Sequence, residues 1–240
     1  MLEDLLKEAV PKRPADNGVQ HRINDLCQKI DMYLNAFRKE CPFNSEQLRL
    51  HVETLTLRYE LGSVNACLRN ADFVESLYET LGAWGLMARG AKLLPFEEFR
   101  EALLENENQI SIFEDKRIDD GSLTVEEVAD GLWDLIDRMR VSRAANPIVS
   151  GTKTLHHILP ELVPPIDREY TRPFFKVWMQ QFQNSPKTVF LRIWKNFVLI
   201  STRVNLREYV GRMSWNTSIT KVIDNAVVGY CKYHNVPKLR

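Results

Sequence analysis

Apolar residues recur at intervals of three and four along most of the chain, a spacing that places them on one face of a helix. The first such stripe runs from Val19 to Phe37, and Pro42 follows it. Later stripes cover residues 44–62, 72–82, 96–104, 124–140, 174–182, 189–200 and 218–230. No β-hairpin signature, glycine-rich phosphate loop or solenoid repeat interrupts them. The pattern predicts an all-α, two-lobed helical protein.

Local signals predict where several of these helices begin. Asn44-Ser45-Glu46 is a typical helix start, and Thr124-Val125-Glu126-Glu127 has the spacing of a capping box. The stretch from 144 to 165 is rich in helix-breaking residues: Pro147, Gly151, Pro160, Pro164 and Pro165. We therefore predict that a long helix ends near Ser142, that a tight turn is centred on Gly151, and that a short helix starts near Thr152. This is a helix-hairpin-helix element near residues 140–160.

The formal net charge of zero conceals an uneven distribution of charged residues. Residues 1–142 contain 17 Lys and Arg against 27 Asp and Glu, whereas residues 143–240 contain 15 against 5. The halves therefore carry −10 and +10, which predicts an acidic helical lobe (1–142) and a basic helical lobe (143–240). An excess of positive charge attracts polyanions, most commonly nucleic acid. The alternative is that the acidic half packs on the basic half and neutralises it.

Composition also predicts a cytoplasmic protein without a cofactor. The N-terminus lacks the features of a secretory signal, and no apolar run approaches the roughly 18 residues that a membrane span requires. The cysteines, which we expect to be free thiols, form no C-x-x-C pair; they are Cys27, Cys41, Cys67 and Cys231. Neighbouring residues of a helix point in different directions, so His156-His157 is a poor metal chelate. These features predict no metal site.

The predicted turn at Gly151 suggests a phosphate site. A turn there would leave the first backbone N–H groups of the next helix unpaired, and these groups bind anions without reading base sequence. We therefore predict DNA-binding roles for Ser150, Gly151, Thr152 and Thr154. The alternative is an ordinary connection between two helices with a capping glycine.

The order of hairpin, Gly151-Thr152-Lys153-Thr154, short helix, proline-containing link and Ile166-Asp167 resembles the helix-hairpin-helix superfamily of DNA glycosylases. The resemblance implies that Lys153 occupies the position of the lysine that forms a Schiff base with the sugar in bifunctional members. It also implies that Asp167 occupies the position of the essential aspartate. Two departures are visible: the hairpin has one glycine where the family usually has two, and the interval of 14 positions between Lys153 and Asp167 is shorter than usual.

The chemistry of base excision gives these residues possible roles. Cleavage of an N-glycosidic bond builds positive charge on the deoxyribose, and a carboxylate such as Asp167 would stabilise that charge. The alternative is that Asp167 only caps the next helix. Lys153 needs a lowered pKa to act as a nucleophile; otherwise it is a surface lysine that grips phosphate. Tyr170, three residues after Asp167, is our candidate wall for the pocket of an extruded base.

The sequence therefore predicts a protein that binds duplex DNA. We interpret it as a base-excision glycosylase, a hydrolase acting on a damaged or modified base in DNA repair or in defence against phages with modified DNA. One alternative is a non-catalytic helix-hairpin-helix module that binds nucleic acid. Another is a helical adaptor that self-associates through its opposite charges.

Overall fold

A computed structural model describes residues 16–87 and 92–237. These residues form 13 α-helices and no β-strand, which confirms the predicted all-α fold class. The helices are α1 (Asp16–Gln28), α2 (Ile30–Lys39), α3 (Ser45–Leu61), α4 (Val64–Arg69), α5 (Ala71–Leu81), α6 (Phe96–Glu105), α7 (Glu107–Ser111), α8 (Val125–Met139), α9 (Ile148–Ile158), α10 (Thr171–Phe174), α11 (Met179–Asn184), α12 (Pro186–Ser201) and α13 (Ile219–Tyr233). A π-helical turn (Gly82–Leu86) follows α5, and a 3₁₀ turn (Leu206–Tyr209) precedes α13.

Both helices with a predicted cap begin at the predicted position, but only one of the two caps forms. Asn44 and Gln47 form a reciprocal capping box at α3, in which each side chain accepts the other's backbone N–H at 2.9 Å. Helix α8 starts at Val125 as expected, but the Thr124 side chain makes no cap hydrogen bond. The capping box predicted at Thr124 is therefore wrong, although the helix boundary is right.

Two predicted helices are each broken into two. The stripe from Val19 to Phe37 divides at Lys29, whose backbone leaves the helical region with φ −127° and ψ 32°. The stripe at 174–182 is interrupted at Lys176, whose φ of +51° lies in the left-handed region. Apolar residues on both sides of each break are buried in the same core, so the apolar pattern along the sequence does not reveal the break.

Gly151 lies inside α9, so the predicted tight turn centred on it is wrong. The connection between α8 and α9 instead spans residues 140–147. A Cβ atom on Gly151 would lie 2.7 Å from Cγ2 of Ile136 in α8. Glycine therefore serves here to let two helices approach closely, and no turn requires it.

One large hydrophobic cluster extends from Val19 in α1 to Cys231 in α13 and contains residues from both sides of Ser142. Helix α13, the last described helix, packs lengthwise against α2, so the two ends of the described chain lie together. The division into lobes at Ser142 remains a prediction from charge. The first 15 residues of the predicted acidic lobe lie outside the described part of the chain.

Several ion pairs connect the acidic and the basic half. Arg117 of the acidic half pairs with Glu161 of the basic half at 3.2 Å. In the opposite sense, basic residues of 143–240 pair with acidic residues of 1–142 in Lys187–Asp130 at 2.8 Å, Lys195–Glu126 at 3.0 Å and Arg207–Asp119 at 2.8 Å. The basic side chains of these last three pairs are well exposed, so each of the three pairs contributes little to stability. They neutralise part of the positive excess of the basic half, as the packing alternative expects. Within the described ranges, no helix has the length and apolar character needed to cross a bilayer.

Gly229→Ala should destabilise the protein by about 2 kcal/mol, because overpacking outweighs the better helix propensity of alanine. A Cβ at Gly229 in α13 would lie 1.9 Å from the backbone carbonyl oxygen of Tyr33 in α2, so the two helices would have to separate. Urea unfolding measures the change. Gly121→Ala is the matched control, since a Cβ there meets nothing within 4 Å. Equal stability of the two variants would contradict the close contact between these helices.

Candidate active site

A cleft with charged and aromatic walls opens beside α9 and α13. It contains about 370 Å³ of empty space, including the part open to solvent. Its lining consists of Phe43, Gln47, Trp84, Lys153, Pro165, Asp167, Trp215, Lys221 and Asp224. Lys153 and Asp167, the two catalytic candidates from the sequence, both line this cleft. The other seven residues come from α3 and the segment before it, the π-helical turn, the link after α9, and α13 and the loop before it.

Lys153 is the one residue of α9 that is only half-buried, and it lines the cleft. Its Nζ donates a hydrogen bond to the backbone carbonyl of Trp84 at 3.2 Å and lies 5.4 Å from the centre of the Trp84 ring. Desolvation by the surrounding side chains lowers the pKa of Lys153, and this effect exceeds the opposing effects of the Asp167 and Asp224 carboxylates. The Lys221 ammonium adds a smaller lowering of the same pKa. A lower pKa enlarges the fraction of neutral amine, which is the nucleophilic form.

Asp167 caps the chain segment that leads into α10. Its Oδ1 accepts the backbone N–H groups of Glu169, Tyr170 and Thr171 at 2.8, 2.6 and 3.1 Å. All three bonds use Oδ1, and the half-buried side chain also lines the cleft. The capping alternative is therefore present in the structure. It leaves Oδ2 outside these bonds, so capping and chemistry are compatible.

Thr152 connects the segments that carry the two candidates. Its Oγ1 donates to the Ile148 carbonyl at 2.7 Å and accepts the backbone N–H of Ile166 at 3.1 Å. Thr152 precedes Lys153 and Ile166 precedes Asp167, so this bond fixes one segment against the other. The buried hydroxyl thus has a positioning role within the protein.

The phosphate-binding roles predicted for Ser150, Gly151, Thr152 and Thr154 are wrong. All four residues are buried, since α9 is covered by its neighbours on nearly every side. The Ser150 hydroxyl bonds to that of Ser142 at 2.7 Å. These groups cannot reach a DNA backbone at the surface. Their small size suits close helix packing. The same small residues had suggested a turn in the sequence.

Tyr170 does not belong to the cleft lining, so the structure does not bring it together with Lys153 and Asp167 there, and its role as a pocket wall stays a prediction. It is half-buried and packs against the core. The aromatic walls are instead Phe43, Trp84 and Trp215. Trp84 lies in the π-helical turn, where Gly85 has a φ of +84°. Such turns are frequent at functional sites, and the Gly82-Ala83-Trp84-Gly85 sequence is the signal that could have indicated one.

Lys221 and Asp224 form a buried ion pair at the cleft, and neither residue was predicted from the sequence. Lys221 Nζ lies 2.5 Å from Asp224 Oδ2, with the two residues 1% and 3% exposed. Nζ also lies 5.3–5.5 Å from three aromatic ring centres, those of Phe43, Trp84 and Trp215. Burial raises the pKa of Asp224, and the Lys221 ammonium opposes this rise. Two residues of opposite charge three positions apart in a largely apolar stretch of α13 were the available signal.

Three buried histidines, His51, His156 and His157, lie next to the cleft tryptophans Trp84 and Trp215. His157 Nδ1 donates to the Lys153 carbonyl at 2.8 Å, so in a neutral ring its Nε2 accepts from His51 Nδ1 at 2.9 Å. His51 Nε2 then accepts the Thr217 hydroxyl, also at 2.9 Å. The ring of His51 stacks on Trp215, with centres 5.6 Å apart and planes at 21°. This chain of bonds holds a wall of the cleft in place.

Burial keeps these histidines neutral. It lowers the pKa of His157 to about 4, and it lowers the pKa values of His51 and His156 well below 6.5. No group of three or more His, Cys, Asp or Glu side chains in residues 16–87 and 92–237 has the arrangement needed to hold a metal ion. The four cysteines are free thiols.

The cleft thus combines an amine of lowered pKa, two carboxylates, a second cation and three aromatic walls. Comparisons of the chain with protein families, curated proteins and solved structures found no match.

Proposed function

We propose that this protein is a DNA glycosylase that takes an extruded base into the cleft and cleaves its N-glycosidic bond beside Lys153 and Asp167. The observation that carries the proposal is that these two residues, singled out by their positions in the sequence, line one cleft with aromatic walls. Enzymes that act on a base within a duplex commonly hold the extruded base by stacking on aromatic side chains. Phe43, Trp84 and Trp215 supply such surfaces.

Lys153 acts as the nucleophile in this proposal. Its lone pair forms a bond to C1′ of the deoxyribose while the bond from C1′ to the base breaks, and the base leaves with the bonding electrons and takes a proton from water. The lysine nitrogen then loses a proton to Asp167, this proton passes to the ring oxygen as the bond from C1′ to that oxygen breaks, and the product is a protonated Schiff base. The lowered pKa of Lys153 supports this role over that of a lysine gripping phosphate.

Asp167 stabilises the positive charge that develops on the sugar and accepts the proton from the lysine nitrogen. Its Oδ2 is available, because the three capping bonds use Oδ1. A carboxylate held by three backbone N–H groups is oriented before the reaction begins, which is the condition for effective electrostatic catalysis. The charge excess of residues 143–240 supports duplex DNA as the substrate.

Borohydride trapping on duplexes that each carry one modified base tests the proposal. Wild-type protein should release the base, leave an alkali-labile site and form a covalent adduct with DNA when borohydride reduces the Schiff base. Lys153→Gln should lower adduct formation at least a hundredfold, because glutamine cannot form the Schiff base. Lys195→Gln, which changes a surface ion pair with Glu126, is the matched control and should retain wild-type trapping.

Other results would contradict the proposal in distinguishable ways. Base release without an adduct would mean that water, and not Lys153, attacks the sugar. DNA binding without base release from any duplex would favour the non-catalytic module. Self-association without DNA binding would favour the adaptor.

A further inference from the structure

The proposed reaction uses Lys153 and Asp167 and leaves the Lys221–Asp224 pair without a role. Asp224 lines the cleft and is almost completely buried. Its Oδ2 accepts from Lys221, whereas its Oδ1 has no hydrogen-bond partner among the described residues. A buried carboxylate oxygen without a donor is costly, since it has lost the hydrogen bonds that water would give it. An unpaired acceptor at a cleft wall therefore indicates a ligand that brings a donor.

Lys221 presents donors beside that acceptor. An ammonium carries three N–H groups, and the bond to Asp224 uses one of them. The cation lies close to the rings of Phe43, Trp84 and Trp215, the surfaces on which a flat ligand would stack. Stacking surfaces, a donor and an acceptor thus occur together at one wall of the cleft.

We propose that Asp224 Oδ1 and Lys221 Nζ recognise the polar edge of the extruded base, and that this edge is a lactam, a ring N–H beside a carbonyl. The inference rests on the proposed function and names its substrate class. The carboxylate accepts the ring N–H, which is a more acidic donor than an exocyclic amine, and the ammonium donates to the carbonyl. Hypoxanthine and uracil carry such an edge.

Binding of free bases tests this recognition without requiring catalysis. Hypoxanthine and 1-methylhypoxanthine differ only at the lactam N–H, and quenching of Trp84 and Trp215 fluorescence reports occupation of the cleft. Hypoxanthine should bind at least tenfold more tightly to the wild-type protein. Asp224→Asn should weaken hypoxanthine binding about tenfold and leave 1-methylhypoxanthine nearly unchanged, since the charged acceptor is lost.

A second variant keeps the test valid if loss of one buried charge unfolds the protein. Lys221→Met combined with Asp224→Leu removes both charges and leaves neither one buried alone. It should bind the two bases equally. Lys195→Met at the surface is the control and should behave as wild type.

Base release from duplexes, measured separately, distinguishes failure of this inference from failure of the proposed function. Preference for free hypoxanthine without base release would support the recognition and overturn the catalytic proposal. Base release with equal binding of hypoxanthine and 1-methylhypoxanthine would support catalysis and overturn the recognition. Wild-type discrimination by the double variant would also overturn the recognition.

Discussion

Asp167→Asn should lower the rate of base release by about a hundredfold to a thousandfold, the usual cost of removing one electrostatic stabiliser of a transition state. Asparagine keeps an oxygen that can accept the backbone N–H groups of Glu169, Tyr170 and Thr171. It removes the negative charge that would stabilise the sugar cation. The free energy of unfolding should therefore change by less than about 1 kcal/mol, because asparagine caps about as well as aspartate. DNA affinity should hold or improve, since a carboxylate near phosphates repels them.

Single-turnover base release at saturating enzyme measures the rate, and urea unfolding measures the stability. Asp120→Asn is the matched control, because the Asp120 Oδ1 also accepts a backbone N–H, from Ser122 at 2.8 Å, in a turn that does not line the cleft. It should retain the wild-type rate. A full rate with reduced stability in Asp167→Asn would show that Asp167 is a cap and nothing more.

Acid should destabilise the protein between pH 6.5 and pH 4 through its buried histidines. The pKa of His157 is about 4 in the folded protein, against an ordinary value of 6.5, because burial disfavours the imidazolium and Lys221 and Lys153 repel it. The unfolded chain therefore binds more protons in this window, so stability falls as the pH falls. At 1.36 kcal/mol for each pKa unit, His157 alone contributes about 3 kcal/mol above pH 6.5 that is lost near pH 4. The lowered pKa values of His51 and His156 act in the same direction.

Urea unfolding at a series of pH values measures this loss. His157→Gln should show a shallower pH dependence than wild type, whatever its absolute stability at pH 7. The exposed residue His21 supplies the control, and His21→Gln should keep the wild-type slope. An unchanged slope in His157→Gln would mean that His157 is not held neutral.

The helices could be predicted from the sequence because their signal is local. Each apolar stripe repeats within a few residues, and the Asn44 cap bonds to Gln47 three positions away. Gly151 shows the limit of this reasoning. A glycine is compatible both with a turn and with close helix packing, and only the position of Ile136 on another helix distinguishes the two.

The sequence also determined two residues of the candidate site, Lys153 and Asp167, because both belong to one continuous motif of 15 residues. Tertiary structure alone decided the rest. Trp84, Trp215 and the Lys221–Asp224 pair come from separate segments that meet only when α3, α9 and α13 pack together. The lowered pKa of Lys153 and the unpaired oxygen of Asp224 depend on which segments exclude water from the cleft. The desolvation of a side chain depends on the residues that surround it in space, and the sequence pattern does not show which residues these are.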